Sequence, residues 1–249
     1  MPSSCSPVLS SPTVRVYCLP FAGGSANSFS TYKAHSAAGF DFWALELPGR
    51  GERSAEPLLT SMEAVLNDYW QHLVPALTAS AAPYVLWGHS MGAAVSSWLT
   101  VRLHQHGLPL PMLLLHTSKV ASQRSNSLAL HQLPDSEFVR ELRHLGGLPA
   151  VLTDGSALLQ HCLPIIRADI QAIESCTQPT PVGLPVPIRI IVSRSERPAP
   201  AERQRWELES AREVTYKEVP GDHFFIYQSR RIVEEELRRA LAAQLPSIN

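Results

Sequence analysis

The stretch YVLWGHSMGAA, residues 84–94, constrains the fold of this chain more than any other. Tyr84, Val85, Leu86 and Trp87 are consecutive and apolar, as in a strand buried on both faces. Ala93, Ala94, Val95 and Leu99 then follow as helix-forming or helix-spaced apolar residues. Between the two lies Gly88-His89-Ser90-Met91-Gly92, a G-x-S-x-G sequence. The chain must therefore pass from buried strand to helix through one sharp turn. Such a turn strains its central residue and needs small neighbours, which Gly88 and Gly92 supply. It lifts the Ser90 hydroxyl above a sheet edge and aims the N–H groups of a helix N-terminus at the same place. A bare five-residue match also arises by chance, with the serine as a plain helix cap. The strand before it and the helix after it favour a nucleophile.

The rest of the chain repeats this alternation. Strand-like segments lie at 14–20 (VRVYCLP), 41–48 (DFWALELP), 112–116, 188–193 and about 214–219. Helical patterns lie at 25–38, 60–79, 91–106 and about 229–244, the second carried by Met62, Val65, Leu66, Tyr69, Leu73 and Leu77. Apolar strands alternating with helices predict a mostly parallel sheet flanked by helices on both faces. From about 121 to 180 no strand pattern appears, and helical stretches near 135–145 and 156–175 are separated by HLGGLPA. This region reads as a helical lid insertion, with the Pro-rich run 176–187 as its return. The expected organisation is one α/β domain over 1–249, with a core at about 13–120 and 186–245.

Composition removes several classes of function. A formal net charge of −1, with no Lys/Arg-rich tract, offers no attraction for nucleic acid or anionic lipid. The longest apolar runs are far too short to span a bilayer. The Ser/Pro-rich start has neither the basic nor the apolar segment of a signal peptide. Cys5, Cys18, Cys162 and Cys176 form no C-x-x-C pair and no metal-spaced cluster. No metal is expected, and the default compartment is a reducing cytoplasm.

A serine needs a base. Of ten histidines, His223 in EVPGDHFFIY follows the last strand pattern and precedes the last helix. That loop belongs at the carboxyl edge of the sheet, where Ser90 also belongs. His89 is read as shaping the elbow, and His116 as a residue that could line the same edge. The order nucleophile, acid, histidine is the one expected of an α/β-hydrolase, so the acid should follow a strand between Ser90 and His223. Glu196, just past the strand at 188–193, meets that condition. Asp222 is a poor alternative, because neighbours in an extended loop point apart. Asp154 and Asp169 fall in the helical insertion, where Asp169 is expected to serve lid packing or helix polarity.

The chain resembles the type II thioesterases, α/β-hydrolases that accompany non-ribosomal peptide and polyketide synthases. The likeness runs from about residue 14 to 240. It is carried by LPFAGGSANSF (19–29), ELPGRGER (46–53), GHSMGA (88–93), LPDSEFVRELRHLGGLP (133–149), LPIIRADIQAIES (163–175) and PGDHFF (220–225). The resemblance implies Ser90 as nucleophile and His223 as base, with the backbone amides of Ala22 and Met91 as the oxyanion hole. It also implies hydrolysis of acyl or aminoacyl thioesters from the phosphopantetheine arm of a carrier protein, by a monomer without a cofactor of its own. Three departures stand out. Ser193-Arg194-Ser195-Glu196 replaces a G-x-x-D pattern, Asp222 replaces a glycine, and HTSKVAS (116–122) replaces a small-residue phrase. Other readings are a medium-chain fatty acyl carrier-protein thioesterase, a general carboxylesterase, and a non-catalytic carrier-binding protein on the same scaffold.

Overall fold

The computed structural model describes residues 14–34, 39–80, 82–118, 129–177 and 181–243. Cys5, the end of the helix expected at 25–38 and the start of the expected insertion lie outside these residues. Six strands form one sheet: β1 (Val14–Leu19), β2 (Phe40–Ala44), β3 (Tyr84–His89), β4 (Leu113–Thr117), β5 (Ile188–Ser193) and β6 (Val214–Val219). Their spatial order is β2-β1-β3-β4-β5-β6, and every neighbouring pair is parallel. All six carboxyl ends therefore share one edge, which is where an open parallel sheet binds ligands.

Period-two alternation sends successive side chains to opposite faces. Tyr17, Leu19 and Leu86 pack under α2 (Met62–Thr78) and α3 (Met91–Gln105). Val16, Cys18, Val85 and Trp87 pack on the other face with Val233, Leu237 and Leu241 of α7 (Arg230–Ala242). The central strands are buried on both sides, which accounts for their unbroken apolar runs. A third cluster, including Phe138, Leu142, Leu159, Leu163 and Ile166, joins α4 (Asp135–His144) to α5 (Ala157–Glu174) between β4 and β5. Among the described residues, no helix is long and apolar enough to cross a membrane.

Three elements differ from the sequence-based expectation. Where one helix was expected from residue 25, the described residues up to 34 form a 3-10 turn, Ala26–Phe29, followed by α1 (Ser30–Ala34). The second strand ends at Ala44 and not near 48. Pro48 and the positive φ angles of Gly49 (81°) and Gly51 (51°) turn ELPGRGER into a loop. A helix absent from the sequence reading, α6, occupies Pro200–Leu208. Pro198 and Pro200 look like breakers, yet Pro198 precedes the helix and Pro200 stands at its first position, where its lost N–H is harmless. Glu202 closes the start by accepting from the Ala199 amide at 3.1 Å.

Candidate active site

Ser90 occupies the turn between β3 and α3 with φ 53° and ψ −112°, a conformation few L-residues adopt. The turn exists because two backbones approach too closely for side chains. A Cβ on Gly88 would lie 2.1 Å from the Gly92 oxygen, and one on Gly92 would lie 2.1 Å from the Leu19 oxygen. The Ser90 amide donates to the Thr117 carbonyl at 2.9 Å, tying the elbow to the end of β4. The Ser90 side chain makes no capping bond to α3, so the plain helix-cap reading does not hold.

His223 and Glu196 are brought together. The 3-10 turn Arg194–Glu196, directly after β5, delivers the carboxylate, and Glu196 Oε1 lies 2.5 Å from His223 Nδ1. In the neutral ring, a proton on Nδ1 facing Glu196 leaves Nε2 as an acceptor. The His223 side chain is 7% exposed and that of Glu196 28%. Burial works to raise the Glu196 carboxyl. The hydrogen bond and charge of His223, with the Ser118 and Ser193 hydroxyls, outweigh it and hold the group below its ordinary value of 4.5. No hydrogen bond joins Ser90 to His223 among the described residues; His223 meets the elbow through ring contact with His89, centroids 5.3 Å apart.

Sequence reasoning missed Ser118. It follows β4 with φ 46°, and its hydroxyl lies 2.9 Å from Glu196 Oε2 and 2.7 Å from the His223 carbonyl oxygen. One hydroxyl proton is shared between two acceptors, so Ser118 fixes the acid and the histidine loop to each other. Strain of this kind in a non-glycine residue concentrates at functional sites. Ser193 adds a contact to Glu196 Oε2 at 3.3 Å. A hydroxyl residue just past a central strand, on the edge that carries Ser90, was the available signal.

The remaining candidates separate clearly. Asp222 accepts from the Phe224 amide at 2.9 Å and so shapes the loop that presents His223. Asp154 pairs with Arg143 near the surface. His116 does not line the edge: it is fully buried against α3, with Nε2 3.0 Å from Ser96 Oγ. Arg197 pairs with Glu218, while Arg194 is exposed. Asp169, in the middle of α5, packs that helix against the core through charge. It is fully buried in a two-pronged ion pair with Arg50, at 2.6 and 2.7 Å, and accepts from the Gly23 amide at 2.6 Å. The loop containing Ala22 sits beside the elbow, since a Cβ on Gly92 would lie 2.9 Å from the Pro20 oxygen and the Phe21 and His89 ring centroids are 5.5 Å apart; neither the Ala22 nor the Met91 amide is engaged in a hydrogen bond among the described residues.

His89 also shapes the elbow, as expected. It is fully buried, with Nδ1 2.8 Å from Thr117 Oγ1, and Trp87 Nε1 donates to the same oxygen at 3.0 Å. Burial, and after it the charge of His223, push the His89 imidazole well below its ordinary 6.5. Below that value the unfolded chain binds a proton that the folded chain refuses, so stability falls as pH drops below about 6.5. Glu196 extends the loss from about pH 4.5 downward, because its folded value is also depressed. Denaturant melts at pH 7.5, 6.5, 5.5 and 4.5 should show the first decline. In a His89→Gln variant the slope between pH 6.5 and 5.5 should flatten; an unchanged slope assigns it elsewhere.

A parallel sheet of this order, with a serine elbow after β3, a carboxylate after β5 and a histidine after β6, defines an α/β-hydrolase. The chain belongs to the thioesterase family, whose thioesterase-domain model matches residues 14–243, and it is a thioester hydrolase. The gramicidin S biosynthesis protein GrsT of Aneurinibacillus migulanus is 28% identical over 244 residues, 96% of this chain and 94% of that protein. ClbQ, from the colibactin NRPS/PKS pathway, has a solved structure that matches with a TM-score of 0.82 at 26% identity, covering 93% of this chain and 98% of that one. The type II thioesterase BorB from the borrelidin biosynthetic cluster matches with a TM-score of 0.78 at 30% identity, covering 93% and 94%.

Proposed function

We propose that the chain is a type II, editing thioesterase that clears acyl or aminoacyl groups from the phosphopantetheine arm of carrier proteins in non-ribosomal peptide or polyketide synthesis. The observation that carries this reading is the His223–Glu196 pair held at the sheet edge that bears the Ser90 elbow, in a chain of the thioesterase family. The kinship with GrsT, ClbQ and BorB supports the substrate class.

In this mechanism Ser90 Oγ attacks the thioester carbonyl as His223 Nε2 takes its proton. Glu196 holds the ring in the required tautomer and stabilises the imidazolium. The oxyanion rests on the Ala22 and Met91 amides. Collapse of the adduct breaks the C–S bond, and the departing thiolate takes the proton from His223. The acyl-serine is then attacked by water, whose proton passes to His223 and on to Ser90 Oγ as the acid leaves. Every group used is a side chain, amide or water, so the reaction as written requires no metal or organic cofactor. The helices between β4 and β5 act as a lid over the arm. We place the enzyme in the cytoplasm, a setting compatible with the free thiols of Cys18, Cys162 and Cys176.

A hydrolysis panel tests the substrate assignment. Acetyl-, aminoacyl- and longer acyl-carrier proteins should be cleaved with higher kcat/KM than oxygen esters of the same acids. Faster cleavage of the oxygen esters would instead make the chain a carboxylesterase. A strong preference for medium-length fatty chains over acetyl and aminoacyl groups would move it to fatty-acid release.

A further inference from the structure

We infer that Asp169, on a helix of the insertion, is a positioning residue for the oxyanion hole. The inference rests on the assignment of the Ala22 amide to that hole. The loop Phe21–Gly24 leaves β1 at the sheet edge and is pinned at two successive peptide planes. The Gly24 amide donates to the Phe21 carbonyl at 2.8 Å. Because a peptide unit is planar, fixing the Phe21 carbonyl fixes the Ala22 N–H on its opposite side. The next plane carries the Gly23 N–H, which donates to Asp169 Oδ2 at 2.6 Å. Ala22 is therefore clamped between two held planes, and its N–H has one direction in which to point.

The clamp is built for stiffness. Arg50 spans both Asp169 oxygens, and its Nη1 also donates to the Gly24 carbonyl at 3.1 Å. Asp169 and Arg50 are both buried, so each charge depends on the other, and neither can leave without stranding its partner. Ile166, one helical turn before Asp169 on α5, closes the other side: a Cβ on Gly23 (φ +82°) would lie 2.3 Å from Ile166 Cγ1. The ELPGRGER loop contributes twice more. Glu46 Oε1 accepts from the Ala26 amide at 3.0 Å, and Arg53 holds the Glu46 carbonyl at 2.9 Å. Two distant segments thus converge on one short loop, and α5 carries part of the geometry of the reaction centre as well as covering it.

The test compares Asp169→Asn with wild type on an acyl-carrier substrate, with rates expressed per active site titrated to endpoint by a fluorophosphonate. The substitution keeps shape and an acceptor but removes the charge that organises Arg50. The expected result is a fall in kcat of about 10- to 100-fold with KM within about twofold. An alkyl boronic acid, whose serine adduct places an oxygen in the oxyanion hole, should lose affinity by a similar factor. A merely structural role would lower the titrated fraction and leave kcat per site and boronate affinity unchanged, which overturns the inference. So would a fall in kcat with boronate affinity intact. If Asp169→Asn does not fold, Arg50→Lys takes its place, with a smaller loss of the same pattern expected and the same two outcomes overturning it. Failure of wild type to be labelled at Ser90 would strike the catalytic assignment itself, and so is distinguishable from failure of the clamp alone.

Discussion

Ser90→Ala is expected to lower kcat for acyl-carrier hydrolysis by roughly four to six orders of magnitude. Loss of the nucleophile removes the covalent route, and what remains is whatever rate the amides and binding give to direct attack by water. Intact-mass measurement should show acyl or phosphonyl adducts on wild type and none on the variant. The protein should still fold. Ser90 makes no side-chain bond to α3, and alanine inherits the same backbone at φ 53°. That backbone gives a second, independent readout. Glycine adopts it without the Cβ clash, so Ser90→Gly should be more stable than Ser90→Ala by roughly 1 kcal/mol while equally inactive. Activity above a tenth of wild type in Ser90→Ala would remove the nucleophile from the mechanism.

The elbow was readable because its cause is local. A buried strand, two glycines at fixed spacing and a helix all lie between Tyr84 and Gln105, and close backbone contact explains each glycine. His223 and Glu196 were readable through topology. In an all-parallel sheet every strand ends at the same edge, so chain order alone places the loops after β5 and β6 beside the elbow. What stayed hidden depends on long-range pairing. Arg50 and Asp169 are 119 residues apart, and nothing in the sequence near either one signals the other. Ser118 bonds to groups 78 and 105 residues away through a hydroxyl whose aim depends on a positive φ that its sequence neighbours do not signal. The helix α6 was hidden for another reason: a proline that begins a helix and one that prevents it look alike until the cap is seen.

Glu196→Gln should reduce kcat by about two to four orders of magnitude with KM little changed. The carboxylate accepts from His223 Nδ1 with one oxygen, while the other takes Ser118 and Ser193. A glutamine can keep the second set only by turning its amide N–H₂ toward His223. The ring must then accept at Nδ1 and carry its proton at Nε2, the atom needed to take the Ser90 proton. The opposite flip keeps the ring tautomer but sets the amide donors against both hydroxyls, and it still lacks the charge that stabilises the imidazolium. Glu196→Asp probes reach separately. It restores the charge on a side chain one methylene shorter, while the 3-10 turn Arg194–Glu196 and the Ser118 hydroxyl are placed for the longer one. Its kcat should fall between wild type and Glu196→Gln. Melting temperature and circular dichroism separate these effects from unfolding, since Glu196 lies in a surface turn and is partly exposed. Near-normal turnover in Glu196→Gln would end the assignment of the acid, leaving the thioesterase family untouched. Turnover in Glu196→Asp equal to wild type would show instead that the loop adapts, and that Ser118 is not tuned to the glutamate.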